Sequence, residues 1–360
     1  MNKNNYVAIM AGGIGSRFWP MSRTQYPKQF LDILNMGRTL IQSTFDRFEK
    51  FIPAENIYVV TSEQYRDIVL SQLPELNADN ILCEPSRKNT AACIAYISYK
   101  LKELNPNANL ICAPSDHLIT ENEQFKKTCQ DALHFTSKNS ALITLGIMPN
   151  HPNTGYGYIQ YESPEIAENV FKVKIFTEKP DLELAKTFIA SGDFLWNAGI
   201  FVWEVKNIVA AFENLLPEMH EVFDVERSHF NTPNEAEALG RIYPQCVNIS
   251  IDYGIMEKAD NVYVIPSSFG WSDLGTWKST YDTIDKDYLE NAVTGENVVI
   301  IDSTKNMVHA PHNKLIVLQG MDDFILVDTQ DVLLVCKKEK EQEIKEYVAE
   351  IKKSKGDKFL

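Results

Sequence analysis

No stretch of this 360-residue chain comes near the roughly 18 to 20 consecutive apolar residues that a membrane-spanning helix needs. The apolar run at 6–11 is too brief for the hydrophobic segment of a secretory leader, so neither a membrane nor export is expected. Positive charge is scarce: 35 Lys and Arg face 49 Asp and Glu, a net charge of −14. Nucleic-acid binding draws on clustered cations that release counterions, which excludes nucleic acid as the main partner. Cysteines are few and unpatterned. Cys83, Cys93, Cys112, Cys129, Cys246 and Cys336 form no C-x-x-C pair, which argues against a structural zinc site or a disulfide framework. They read as small core hydrophobes in a reducing compartment, and a cytoplasmic enzyme is expected. No Ser-His-Asp or Cys-His arrangement stands out. His117 beside Asp116 reads as a supporting residue at most, and the His309–His312 spacing, interrupted by Pro311, reads as a turn.

What is present is an ordinary globular composition, 44% hydrophobic and 23% charged, long enough for one large or two ordinary domains. Continuous apolar runs at 6–10, 56–60, 110–113 and 141–145 suit strands buried on both faces. Helical spacing lies between them: at 90–104, Cys93, Ile94, Ile97, Leu101 and Leu104 share one face. Alternating strand and helix predicts an open, mostly parallel, doubly wound α/β sheet with ligands beyond the carboxyl ends of its strands. Strand-like runs at 171–177, 198–205 and 261–265 extend this part to about residue 288. Over 289–360 short runs at 298–301, 315–318, 324–327 and 332–335 predict a small all-β module, either a meander or a β-helix. A closing helix carries Ile344, Tyr347, Val348 and Ile351 on one face, and the Lys/Glu run around it reads as its solvated side.

The densest chemistry follows the first strand, where Gly12, Gly13 and Gly15 precede Arg17, Pro20, Arg23, Pro27 and Lys28. Three glycines after a strand let the backbone approach an anion and aim N–H groups at it. A dinucleotide fingerprint fails, because Phe18 stands where the third glycine belongs. A Walker A loop fails as well, since no Gly-Lys-Ser/Thr follows. What remains is a phosphate loop with Arg17 and Lys28 downstream, or simply a tight turn in a generic α/β protein. Pro20 and Pro27 disfavour a long helix between them.

The string Gly12-Gly13-Ile14-Gly15-Ser16-Arg17-Phe18-Trp19-Pro20-Met21-Ser22-Arg23, with Pro27-Lys28-Gln29-Phe30, resembles the nucleotidyltransferases that make nucleotide sugars. The similarity continues in order through Glu84–Ala91, Ala113–His117, Gly155–Ile159, Phe176–Pro180, Trp196–Phe201 and Phe269–Gly275. It implies a nucleotidyltransferase sheet over 1–288, a C-terminal left-handed β-helix over 289–360, and a homodimer formed through the edge of that module. The implied reaction moves GMP from GTP to mannose 1-phosphate, giving GDP-mannose and pyrophosphate. Alternatives are another hexose or heptose 1-phosphate, or a non-catalytic nucleotide-binding relative. The C-terminal isomerase domain of long bifunctional members is not expected.

The same resemblance assigns residues. Asp116, just past a strand-like run, and Asp273 are implied to hold Mg²⁺; alone, either could be a loop or helix cap. Arg17 and Lys28 match positions that contact the triphosphate, with Gly12, Gly13, Gly15 and Ser115 around it. Lys179 matches the lysine that holds the sugar phosphate, although out of context it would be a surface lysine. Gly157, Glu178 and Asn197 are implied for the sugar. Glu84, Asn89 and Thr90 are candidates for the base. Glu84 could instead orient its loop, and Asn89 could simply cap the helix that follows.

Overall fold

The structure, a computed structural model, describes residues 1–310 and 313–360, so His312 lies outside the described residues. The chain divides into two compact units that interleave along the sequence. The first comprises 1–12, 45–115 and 119–271; the second comprises 13–44, 116–118 and 272–360.

The first unit is built on a nine-stranded sheet. Its strands are β1 (Asn5–Met10), β2 (Ile57–Ser62), β3 (Ile81–Glu84), β4 (Asn109–Pro114), β5 (Leu142–Ile147), β6 (Gly157–Tyr161), β7 (Phe171–Glu178), β8 (Phe194–Glu204) and β9 (Val262–Ser267). They lie in the order β3-β2-β1-β4-β8-β5-β9-β7-β6, with β8 also pairing with β6. The expected doubly wound part is the parallel run β3-β2-β1-β4. Val7, Ala8 and Ile9 of β1 are wholly buried, as continuous apolar runs require of strands covered on both faces. The helix Asn89–Leu104 buries Cys93, Ile94, Ile97 and Leu101 in the same cluster as Tyr6 and Tyr58. Periodicity did not resolve the direction of β8. It runs antiparallel to both β4 and β5 and is buried at every position except Gly199. Because β1 to β4 run the same way, their carboxyl ends form one edge, where Glu84 ends β3 and Gly12 follows β1.

The second unit contains the glycine-rich loop and the β module. In the module β10 (Ala292–Thr294), β12 (Met307–His309) and β14 (Phe324–Asp328) pair in parallel, as do β11 (Val298–Ile301) and β13 (Ile316–Gln319). Each strand therefore pairs with one a coil further along, which excludes the meander. An asparagine ladder closes the coils: Asn291 Oδ1 accepts from Asn306 N at 3.0 Å, and Asn306 Oδ1 accepts from Phe324 N at 2.9 Å. The antiparallel strand β15 (Leu333–Lys337) ends the stack against β14. Phe18, Trp19, Trp277, Met307, Ile325, Val327 and Ile344 share one apolar core, with the expected face of the closing helix, Tyr347, Val348 and Ile351, packed against it.

All six cysteines are free thiols, buried except for the half-buried Cys83. Among the described residues no helix is long and apolar enough to cross a membrane.

Candidate functional site

In the second unit, the glycine loop is shaped by packing. Pro20 and Pro27 keep the segment out of α-helix, and only two short turns form, Ser16–Phe18 and Lys28–Phe30. Gly15 sits at φ +62°, and a Cβ there would fall 2.6 Å from Lys28 Cβ, so only glycine fits. Gly13 contributes its carbonyl, which accepts from Gln29 Nε2 at 3.1 Å. Phe18 packs at 4.9 Å, tilted by 45°, against Trp277, whose Nε1 donates to the Trp19 carbonyl at 3.3 Å. That contact ties the loop to the segment carrying Asp273. Asp273 does not cap the following helix. The cap is Thr276, in a reciprocal box with Ser279, while Asp273 Oδ1 accepts from Gly275 N at 2.9 Å.

Lys28 joins these parts. Its buried ammonium lies 2.9 Å from Asp116 Oδ2 and donates to the carbonyls of Asp273 at 2.9 Å and Leu274 at 2.8 Å. All three of its donors are thereby engaged. Burial pushes the Asp116 carboxyl up, but Lys28 and His117 outweigh it and hold the group below its usual value. A cavity of about 320 Å³ is lined by Gly15, Ser16, Arg17, Lys28, Asp116, His117, Asp273, Gly275 and Lys345. Arg17 Nε is buried with no hydrogen-bond partner. Two carboxylates on one cavity wall fit a hard cation that takes its remaining ligands from phosphate and water. Among the described residues no cluster of three or more metal-ligating side chains occurs, so the donor set does not resemble a closed structural metal site.

In the first unit, sheet register assembles a different group. Gly157 on β6 lies directly opposite Glu178 on β7, and Asn197 projects from β8 beside them. A Cβ on Gly157 would fall 2.5 Å from Glu178 Oε2 and 3.2 Å from Asn197 Cβ, so the absent side chain leaves room for the pair. Asn197 is fixed from both ends: its Oδ1 accepts from Thr144 Oγ1 at 2.7 Å and its Nδ2 donates to Asp252 Oδ1 at 2.9 Å. Lys179, at φ +49°, pairs with Glu178 Oε1. Burial, then the neighbouring Asp252 charge, raises the Glu178 carboxyl, and burial raises Asp252. The four residues expected here, Gly157, Glu178, Lys179 and Asn197, come together. Asp252 is an addition that no spacing signals.

Elsewhere in that unit, Glu84 is buried, accepts from Tyr243 Oη at 3.0 Å, and has its carboxyl pushed up by burial to about 7. A Cβ on Gly12 would stand 3.6 Å from its Oε2, which brings Gly12 and Glu84 together. Asn89, at φ +66°, opens the following helix and accepts from Thr90 N at 2.8 Å; Thr90 Oγ1 accepts from Ile251 N at 2.9 Å. Ser115 is buried, with its N–H on the Met10 carbonyl at 3.1 Å. Lys345, read from sequence as part of a solvated helix face, lines the cavity of the second unit instead.

A doubly wound sheet, a glycine loop and a cavity walled by cations and paired acids define a nucleotide-handling transferase. Residues 6–290 match the nucleotidyl transferase family model, and 296–351 match that of the MannoseP isomerase/GMP-like β-helix domain. The chain is 36% identical to a mannose-1-phosphate guanylyltransferase of Salmonella montevideo, over 96% of this chain and 73% of that one. It is 35% identical to the alginate biosynthesis protein AlgA of Pseudomonas syringae pv. tomato, over 95% and 70%. A crystal structure of a mannose-1-phosphate geranyltransferase from Thermus thermophilus superposes with a TM-score of 0.87 at 28% identity, covering 97% of this chain and 99% of that one. The chain belongs to the nucleotidyl transferase family, in the branch of the mannose-1-phosphate guanylyltransferases.

Proposed function

We propose that this chain transfers GMP from GTP to mannose 1-phosphate, giving GDP-mannose and pyrophosphate. The observation that carries the proposal is the cavity in which Lys28 joins Asp116 to the Asp273 loop beside the unpartnered Arg17 Nε. The names of the relatives supply the nucleotide and the sugar.

A phosphomonoester with a second pKa near ~6 is already anionic at neutral pH, so no general base is needed. A mannose 1-phosphate oxygen attacks the α-phosphorus of GTP in line. The P–O bond to the β-phosphate breaks, and pyrophosphate departs with the electron pair. The barrier is repulsion between polyanions and charge growing on the leaving group, which positioning and fixed cations lower. Gly12, Gly13, Gly15 and Ser115 line the nucleotide, and Arg17 faces the β- and γ-phosphates. Lys28, which the resemblance sets against the triphosphate, has all three donors engaged and instead holds Asp116 and the Asp273 loop in place. These two acids would hold Mg²⁺, which would supply charge neutralisation for the reacting phosphates. Lys179 holds the sugar phosphate. Gly157 admits the hexose ring, while Glu178 and Asn197 bind its hydroxyls, with Asp252 orienting Asn197. Glu84, Asn89 and Thr90 face the base, whose N1 and N2 donors suit a carboxylate.

The six free thiols suit a reducing compartment, and we place the reaction in the cytoplasm. We retain a homodimer in the proposal, supported by the exposed apolar side chains of Val299, Ile301 and Val317 on the β module and read by the particle's mass in solution. The test is pyrophosphate release with Mg²⁺ across four nucleoside triphosphates and a panel of hexose and heptose 1-phosphates. A maximum at GTP with mannose 1-phosphate is expected. A maximum at another sugar would overturn the specificity, and GTP binding without turnover would overturn the activity.

A further inference from the structure

Lys345 is delivered to the cavity of the second unit by packing. It follows Ile344, which is wholly buried in the cluster that contains Phe18 and Trp277, at the start of the helix Ile344–Lys355. Beyond that helix the Phe359 carbonyl accepts from Trp19 Nε1 at 2.7 Å, which fastens the C-terminal segment to the glycine loop. Both ends of the helix are thus held against the residues that shape the cavity.

Three cations line that cavity, and only Lys28 is satisfied by protein groups. Among the described residues neither Arg17 nor Lys345 has a carboxylate within ion-pair distance, and Arg17 Nε is buried without a partner. Asp116 is committed to Lys28, and Asp273 Oδ1 to the Gly275 N–H. Partial burial and then the Arg17 charge hold the Lys345 ammonium below its usual value, as expected of two like charges facing one space. The helix offers no local reason for a lysine here. The first turn of a helix disfavours a cation, and the remaining basic residues of this one, Lys352, Lys353 and Lys355, occupy its last turn, where the dipole favours them.

We infer that Lys345 is a phosphate-binding residue: with Arg17 it clamps the β- and γ-phosphates of the nucleoside triphosphate and then the departing pyrophosphate. The inference rests on the function proposed above. It makes the C-terminal helix part of the substrate site rather than a closing element alone. Arg17, with its planar fork, fixes orientation, and Lys345, an exposed point charge on a flexible stem, follows the anion as it leaves.

The test measures binding of inorganic pyrophosphate to the full chain by calorimetry, together with KM for GTP and for mannose 1-phosphate. Lys345→Met keeps the aliphatic stem over the loop and removes the charge; Lys345→Arg keeps the charge. Loss of one charge-assisted contact predicts pyrophosphate binding and KM for GTP weakened about ten- to a hundredfold in Lys345→Met. KM for mannose 1-phosphate and the melting temperature should hold, and Lys345→Arg should restore most of the affinity. Wild-type pyrophosphate affinity in Lys345→Met, with wild-type turnover intact, would overturn the inference alone. A wild-type chain that neither binds pyrophosphate nor turns over any pair of substrates would overturn the proposed function and this inference with it.

Discussion

The acids of the two units are shifted in opposite directions. In the second unit Asp116 is pinned in its charged form by Lys28 and His117, with burial outweighed. In the first unit burial raises the carboxyls of Glu84, Glu178 and Asp252; Glu84 and Asp252 take neutral donors, Tyr243 and Asn197, while Glu178 also pairs with Lys179. A carboxylate meant for a cation and phosphates must stay ionised. One meant for hydroxyls or a base edge gains shape and direction from hydrogen bonds and can tolerate a raised pKa. In the proposed reaction the same residue type thus serves electrostatics in one region and hydrogen-bonded recognition in the other.

The largest effect should come from breaking the charged arrangement. Asp116→Ala or Lys28→Ala should lower turnover by about a hundred- to ten-thousandfold, since the first removes a carboxylate proposed to hold Mg²⁺ and the second removes the cation that fixes Asp116 and the Asp273 loop. Near-normal rates in both, with intact folding by circular dichroism, would remove the second unit's cavity from the chemistry. Next in size is the first unit's cluster. Asp252→Ala removes the acceptor of Asn197 Nδ2. It should raise KM for mannose 1-phosphate about tenfold with KM for GTP unchanged, the loss of roughly one well-formed hydrogen bond. Equal changes in both KM values would blur the contrast between the regions.

How much of this was legible in the sequence follows from range. The strands at 6–10 and 110–113 and the helix near 90–104 are local patterns, and they form where periodicity places them. Asp116 drew notice because it follows a strand-like run whose carboxyl end is where such sheets keep ligands, but only the family resemblance gave it a role over that of a loop cap. Asp252 drew none, since it reaches Asn197 across 55 residues from a short helical turn with no distinctive spacing. Lys345 was hidden because a Lys/Glu-rich helix reads as a solvated one until tertiary packing shows which side is covered. Nor does a pattern of apolar residues announce that residues 13–44 share a compact unit with 272–360. That grouping depends on contacts such as Trp277 to Trp19, 258 residues apart. The β-helix was ambiguous for the same reason, because parallel register between coils is a non-local choice.

A smaller effect tests the neutral side of the comparison through stability. Burial holds the Glu84 carboxyl at about 7 against an ordinary 4.5, with Tyr243 and Arg87 opposing. The folded chain therefore binds this proton more tightly than the unfolded one, and stability from this group falls as pH rises from about 4.5 through 7. Glu84→Gln should remove that slope. The gap between variant and wild type in denaturant titrations should move in favour of the variant by roughly 1–3 kcal/mol between pH 5 and pH 8. A constant gap would mean that Glu84 is ionised in the folded chain, as Asp116 is, and the contrast would lose one of its members.

The smallest effect separates positioning from charge within the second unit. Thr276 caps the helix Trp277–Thr283, its Oγ1 accepting from Ser279 N at 3.2 Å while its own N–H donates to Ser279 Oγ at 3.1 Å. The residue just before it, Gly275, donates to Asp273. Thr276→Ala leaves every charge in the cavity in place and removes the capping bond and the side-chain bond to the buried Glu341, so it should cost about 1–2 kcal/mol of stability. If the electrostatics of Asp116, Lys28 and Asp273 dominate, turnover should fall no more than about threefold, because Lys28 still grips the Asp273 and Leu274 carbonyls. A loss as large as that of Asp116→Ala would show that the angle at which the cap presents Asp273 matters as much as its charge. The charged region would then depend on hydrogen-bonded geometry as closely as the sugar cluster does.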